Sequence, residues 1–171
     1  MAEPVHIWCD GSYRLQHNTL GAAWVQAAAD GDVNPLQQSI RLPKLHNSHA
    51  HGSDVAEIMA FTHAMNALET PDNVIVHMDC RNVIEWLSGG AITNASKKRE
   101  AAVAKAFEAA MAAKARAKTI IITYTSDKNS PNMGLAHQLS RAASTPQAED
   151  RTKPNAHKNT KHPSRPRHTR G

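Results

Sequence analysis

The chain has 171 residues, with 20 Lys or Arg against 15 Asp or Glu, a net charge of +5. That length suits one folded unit with a single core and a tail, and no stretch approaches the roughly 18 apolar residues of a membrane-spanning helix. The opening MAEPVHIWCDGS has no basic start and no long apolar run, so it does not read as a secretory signal; the two cysteines, Cys9 and Cys80, make neither a disulfide framework nor a zinc site by spacing, and a reduced, cytoplasmic setting is expected.

Residues 5–10 (VHIWCD) read as a strand of β-formers that Gly11 ends. Residues 19–28 and 36–42 give two more, the third closed by Pro43, and the short connections favour an antiparallel meander. After a loop over 43–53, a helix is expected from about 54 to 69, with Ile58, Phe61, Met65 and Leu68 as its apolar stripe and Pro71 as its stop. Residues 73–79 (NVIVHMD) form a mostly apolar strand, which suits a central position. A short helix over 81–88 stops at Gly89 and Gly90, and an Ala-rich helix spans 95–117. Residues 119–125 are the last strand, and Ser130-Pro131 opens a final helix to about 144.

From 145 onward no large apolar side chain offsets the entropy of ordering. The expected division is therefore a folded unit over 1–145 and a disordered basic tail over 146–171. Residues 151–171 hold seven Lys or Arg and no acid, residues 97–118 carry a net +5, and the remainder a net −7. That asymmetry suits a protein that grips a polyanion with one surface and collects metal with another.

The order β-β-β-α-β-α-α-β-α implies an α/β fold with a mixed five-stranded sheet, three strands antiparallel and two parallel to the first. Asp10 follows one apolar strand, Asp79 ends another, and parallel strands bring both to the same sheet end, where open α/β sheets place their sites. Glu57, early in the helix between them, reaches the same place. Carboxylates held together repel unless cations neutralise them, and hard divalent ions with oxygen ligands do so. Two such ions about 3.5–4 Å apart activate a water and stabilise the leaving oxygen of a phosphodiester.

The segments IWCDGSY and GAAWV resemble the first hairpin of the ribonuclease H type 1 family. DVAEIMAFTHAMNAL looks like that family's glutamate helix, VIVHMDCRNVIEWL its second-aspartate segment, and ITYTSDKNSPNMGLAHQLSRAA its last strand, loop and helix. The resemblance runs over about 5–145 in order. It implies the ribonuclease H-like fold and hydrolysis of the RNA strand of RNA–DNA hybrids, with two Mg2+ or Mn2+ ions on Asp10, Glu57 and Asp79. The family usually ends with an Ala-Asp pair whose Asp is the fourth ligand; here stand Ala136-His137. Ten positions earlier, where the family has a mobile histidine, is Asp127, so the two residue types look exchanged. His137 is accordingly expected as a ligand or proton donor, with a relative gain for manganese because imidazole suits borderline metals; Asp127 is a candidate for support around the cluster.

Ser12, Gln16, Ser53 and Arg81 resemble positions that touch the hybrid, although the asparagines usual before the glutamate are missing. The family's longer members carry a basic handle for which Gly89-Gly90 leaves little room, and the basic tail is expected to replace it in part by binding phosphates. His46, His49 and His51 read as exposed loop histidines, since their spacing lacks a fourth zinc ligand, and Cys9, alternating with Asp10 along the strand, reads as core. A monomer is expected. Two alternatives stay open: a DNA- or junction-directed nuclease of the same fold, in some relatives of which a histidine joins the metal cluster, and a catalytically impaired module that binds hybrids or RNA.

Overall fold

A computed structural model describes residues 3–47 and 50–150. Strands β1 (Val5–Arg14), β2 (Thr19–Ala27) and β3 (Leu36–Leu42) form the meander. Helix α1 (Gly52–Ala67), strand β4 (Asn73–Met78), helices α2 (Arg81–Gly89), α3 (Ala95–Arg99) and α4 (Ala101–Lys114), strand β5 (Thr119–Tyr124) and helix α5 (Pro131–Ala143) follow. The sheet order is β3-β2-β1-β4-β5, with the meander antiparallel and β4 and β5 parallel to β1, as the element order implies. No helix among the described residues is long and apolar enough to cross a membrane.

Two layers of side chains cover the sheet. On one face Ile7, Cys9 and Leu20 pack with the stripe Ile58, Phe61 and Met65 of α1 and with Val103 and Ala110 of α4. On the other, Trp8 and Val25 meet Met133 and Ala136 of α5. Cys9 is therefore core, on the face away from Asp10.

β1 runs on to Arg14 instead of ending at Gly11, because that glycine serves helix packing and not a turn. A Cβ there would stand 2.2 Å from the backbone carbonyl carbon of Ala56, so only glycine lets α1 rest directly on β1. Gly21 does the same for α5, where a Cβ would lie 2.4 Å from the Ser140 carbonyl oxygen. The actual turn lies beyond Arg14, where Asn18 takes φ 52° and its side-chain amide donates to the Leu45 carbonyl at 2.7 Å.

The helix expected over 95–117 is two. Glu100 is extended (φ −71°, ψ 116°), ending α3 and starting α4. Helix α4 buries Val103, Ala106, Ala110 and Ala113, whereas α3 buries nothing, so packing and not propensity places the break. The folded part also reaches past 145. Residues 148–150 make a 3₁₀ turn whose Asp150 accepts from Arg41 Nη1 at 2.8 Å and pairs with Lys44 Nζ at 2.9 Å. The same Arg41 donates through Nε to the Ala143 carbonyl at 2.8 Å. The bonds from Lys44, the Gln147 amide and Arg41 hold Asp150's carboxyl well below the usual carboxylate range. The ordering force is an acid between two cations, which a reading by apolar burial passes over; residues 151–171 of the expected tail lie outside the described residues.

Gly11→Ala should cost about 3 kcal/mol or more, since the clash is with backbone. For a chain of this size that is a fall of about 6–12 °C in Tm, read by thermal denaturation. An unchanged Tm would mean that α1 does not lie where described.

Candidate active site

Asp10 sits mid-strand on β1, opposite Ala23 of β2, on the face that α5 covers, and is 2% exposed. Asp79 follows the last residue of β4, and the parallel register, with Trp8 opposite His77, puts it beside Asp10. His137 comes from the second turn of α5. One ligand atom each of Asp10, Asp79 and His137 lie within 4.8 Å of one another. Glu57, in the second turn of α1, flanks this trio without entering it: its Oε1 accepts from the Gly11 amide at 3.3 Å. The close approach that Gly11 permits is thus what delivers the glutamate.

Burial and like charge set the electrostatics of the site. Burial, and then the charges of Asp10 and Asp79, push the Glu57 carboxyl well above its ordinary value. Burial, and then Asp10, push Asp79 up to about 6, against a smaller opposing pull from His137. Asp127, exposed in the loop before α5, adds a little to the same rise, so its charge reaches the cluster although it holds none of its members. Two buried atoms of the site have no hydrogen-bond partner, Oε2 of Glu57 and Nδ1 of His137. That Nδ1 stands 3.3 Å from Oδ2 of Asp10, out of line for a hydrogen bond. Orphaned buried polar atoms and crowded carboxylates are what a divalent cation relieves, so the donor set fits one.

Ser140 is a site residue that sequence reasoning missed. It is fully buried, one turn after His137, and its hydroxyl donates to Oδ2 of Asp10. The signal was the i, i+3 spacing, which puts 137 and 140 on one helix face.

The four positions expected to touch a substrate fare differently. Ser12 lies on the Asp10 face but is engaged in the fold, its hydroxyl 2.8 Å from that of Ser144. Gln16 is exposed in the β1–β2 turn and lines a shallow pocket with Arg14, His17, Thr145 and Pro146. Ser53 is exposed in the first turn of α1, next to Asp54, which is buried and paired with Lys97 at 2.8 Å. Arg81 is exposed at the start of α2. Of the three loop histidines, His46 is exposed and His51 half-buried, neither in a metal-type cluster among the described residues, and His49 lies outside them.

No family model matches the sequence, and no curated protein does. Solved structures do. The chain is similar to RNase H1 of the halophilic archaeon Halobacterium salinarum at 19% identity and TM-score 0.61, over 82% of this chain and 97% of that one. It is similar to the N-terminal RNase H domain of a Mycobacterium tuberculosis protein, solved as a fusion with maltose-binding protein, at 19% identity and TM-score 0.63, over 84% and 100%. LC11-RNase H1 in complex with RNA/DNA hybrid matches at 19% identity and TM-score 0.59, over 82% and 96%. The chain therefore has the ribonuclease H-like fold that its sequence segments resemble.

The carboxylate crowding has a measurable sign. A folded-state pKa raised to about 6 means that Asp79 contributes most stability at acid pH and loses it as pH rises through 6. In metal-free protein, Asp79→Asn should therefore raise Tm at pH 7.5 by about 2–4 °C, the equivalent of ~1 kcal/mol after solvent screening. The gain should shrink towards pH 5. The difference between variant and wild type is the quantity to follow, because His77, lowered to about 4 by burial, runs the opposite way in both proteins. A gain that is flat from pH 5 to 7.5 contradicts the assignment.

Proposed function

We propose that this protein is a metal-dependent endonuclease that hydrolyses the RNA strand of RNA–DNA hybrids. The observation that carries the reading is the convergence of Asp10, Asp79 and His137, with Glu57 alongside, at one end of the central strands of this fold. The solved LC11-RNase H1, similar to this chain in fold, is in complex with RNA/DNA hybrid.

Asp10, Glu57, Asp79 and His137 would hold two Mg2+ or Mn2+ ions, which when bound supply an activated water and charge stabilisation at the leaving oxygen. The protein's own share is positioning. Ser140 holds one oxygen of Asp10 and leaves the other for a ligand. The Gly11 amide orients Glu57 by one oxygen in the same way. His137 replaces a charge with a neutral nitrogen donor, so the cluster repels itself less and favours manganese relative to magnesium. Its alternative role is to protonate the leaving oxygen. Gln16, Ser53 and Arg81 face the substrate; Ser12 acts beside them by tying β1 to α5. Recognition of a hybrid requires bonds to 2′-hydroxyls on one strand. Residues 1–145 carry the chemistry, extended to 150 by the Asp150 turn, and the basic segment beyond binds further phosphates. We place the protein in the cytoplasm as a monomer, consistent with two unpaired cysteines.

His137 also favours a second reading, a DNA- or junction-directed nuclease, and a substrate panel separates the two. Matched hybrid, RNA duplex, DNA duplex and branched DNA should be cleaved in the hybrid's RNA strand only. Asp10→Asn should lower that rate by more than about 100-fold. Wild type should gain in manganese over magnesium, and His137→Asp should reverse the preference. Equal rates in both metals across a full titration would remove the ligand role of His137. Cleavage of branched DNA alone would transfer the protein to the second reading, and hybrid binding without cleavage in either metal would make it a binding module.

Removing residues 151–171 should weaken hybrid binding and flatten its salt dependence, by about 0.9 in the log–log slope for each phosphate the segment neutralises. An unchanged slope would show that the segment takes no part.

A further inference from the structure

Tyr124 ends β5 and is 41% exposed, a large aromatic side chain at the same sheet end as the carboxylate cluster. Its place is fixed: it pairs with Met78, the residue before Asp79, and the amide of Thr125 donates to the Met78 carbonyl at 2.8 Å. Arg81 lays its guanidinium over this ring, with Cζ 3.7 Å from the centroid. Arg81 is exposed, and among the described residues its N–H groups have no protein acceptor and no acidic partner.

This pair has the form of a prepared binding group. Stacking fixes the plane of the guanidinium and removes much of the rotamer entropy a free arginine loses on binding. The stacked face is spent on the ring, while the edge, which carries the donors, stays open. A planar fork of donors matches the oxygens of a phosphate. Location points the same way. Two residues from Asp79 is at most about 7 Å along the chain, and a duplex strand rises about 3.4 Å per nucleotide. The phosphate reached from Arg81 is thus within about two nucleotides of the one at the cluster. The carboxylates there repel that stretch of backbone, and a cation beside them offsets it.

We infer that Arg81 binds a backbone phosphate within about two nucleotides of the scissile one and that Tyr124 is its positioning residue. The inference rests on the nuclease reading above and assigns to Tyr124 a part in it.

The test is a double-mutant cycle on hybrid binding, in full-length chain carrying Asp10→Asn so that the hybrid stays intact, measured across a salt series. Arg81→Ala should weaken binding about 10-fold and flatten the log–log salt slope by about 0.9, one phosphate's worth. Tyr124→Ala should weaken binding about 3-fold with the slope kept, because the charge remains but is no longer held. Tyr124→Phe should match wild type, since the ring and not the hydroxyl does the holding. Arg81→Lys should keep the slope and lose affinity, and the double variant should be no weaker than Arg81→Ala alone. An unaltered slope in Arg81→Ala, or a loss that depends on base sequence, would overturn the phosphate assignment. Additive losses, or a Tyr124→Phe as weak as Tyr124→Ala, would overturn the role of Tyr124. If the otherwise wild-type chain cleaves hybrid while these outcomes fail, only this inference falls; if it neither binds nor cleaves hybrid, the functional reading falls with it.

Discussion

Mutual repulsion among carboxyl groups organises this molecule. Asp10 is buried at the centre of the sheet, and burial, then the charge of Asp10, raise the proton affinity of the Glu57 and Asp79 carboxyls beside it. Bringing such groups together costs folding free energy, and the rest of the architecture is what withstands that cost: an apolar core on one face, a smaller cluster under α5 on the other, and parallel strands that fix Asp10 and Asp79 side by side. Without a cation, proximity of like charges is a liability; with one, the same proximity is affinity. Stability and ligand binding are therefore opposed in these residues, as at many working sites.

Glycine is the means by which opposing helices reach the cluster. Gly11 and Gly21 let α1 and α5 lie against the sheet at backbone contact distance, from opposite sides. One approach delivers Glu57, the other His137 and Ser140. The same residue type in a turn would have meant chain reversal, which is what Gly11 suggests when only its neighbours in sequence are considered.

Sequence legibility ends where such distant packing begins. Strand and helix order is legible because period-2 and period-3.6 patterns are local, and the stripe Ile58, Phe61 and Met65 is buried as its spacing implies. Asp10 and Asp79 are legible as acids at the end of apolar runs, Glu57 as an acid early in the helix between them, and His137 through the resemblance. The rest depends on residues far apart in the chain. The break at Glu100 reflects which side of α4 meets α1; the Asp150 turn depends on Arg41 and Lys44, more than a hundred positions away. Ser140 is an ordinary serine until its helix lies over Asp10, and Tyr124 an ordinary strand residue until α2 begins beneath Arg81.

Helix α5 is moored at both ends. At its start Asp30 accepts from the Asn132 amide at 2.9 Å, and the Asn132 side chain donates to the Ala29 carbonyl. At its finish Thr19 donates to the Ser144 carbonyl at 2.6 Å, and Arg14 to that of Arg141 at 3.0 Å. His137 rides between these moorings like a fitting on a beam. Its alignment is thus inherited from the two hairpins that flank β2, and a shift in either would move the imidazole against Asp10 and Asp79 while every side chain of the cluster stays the same.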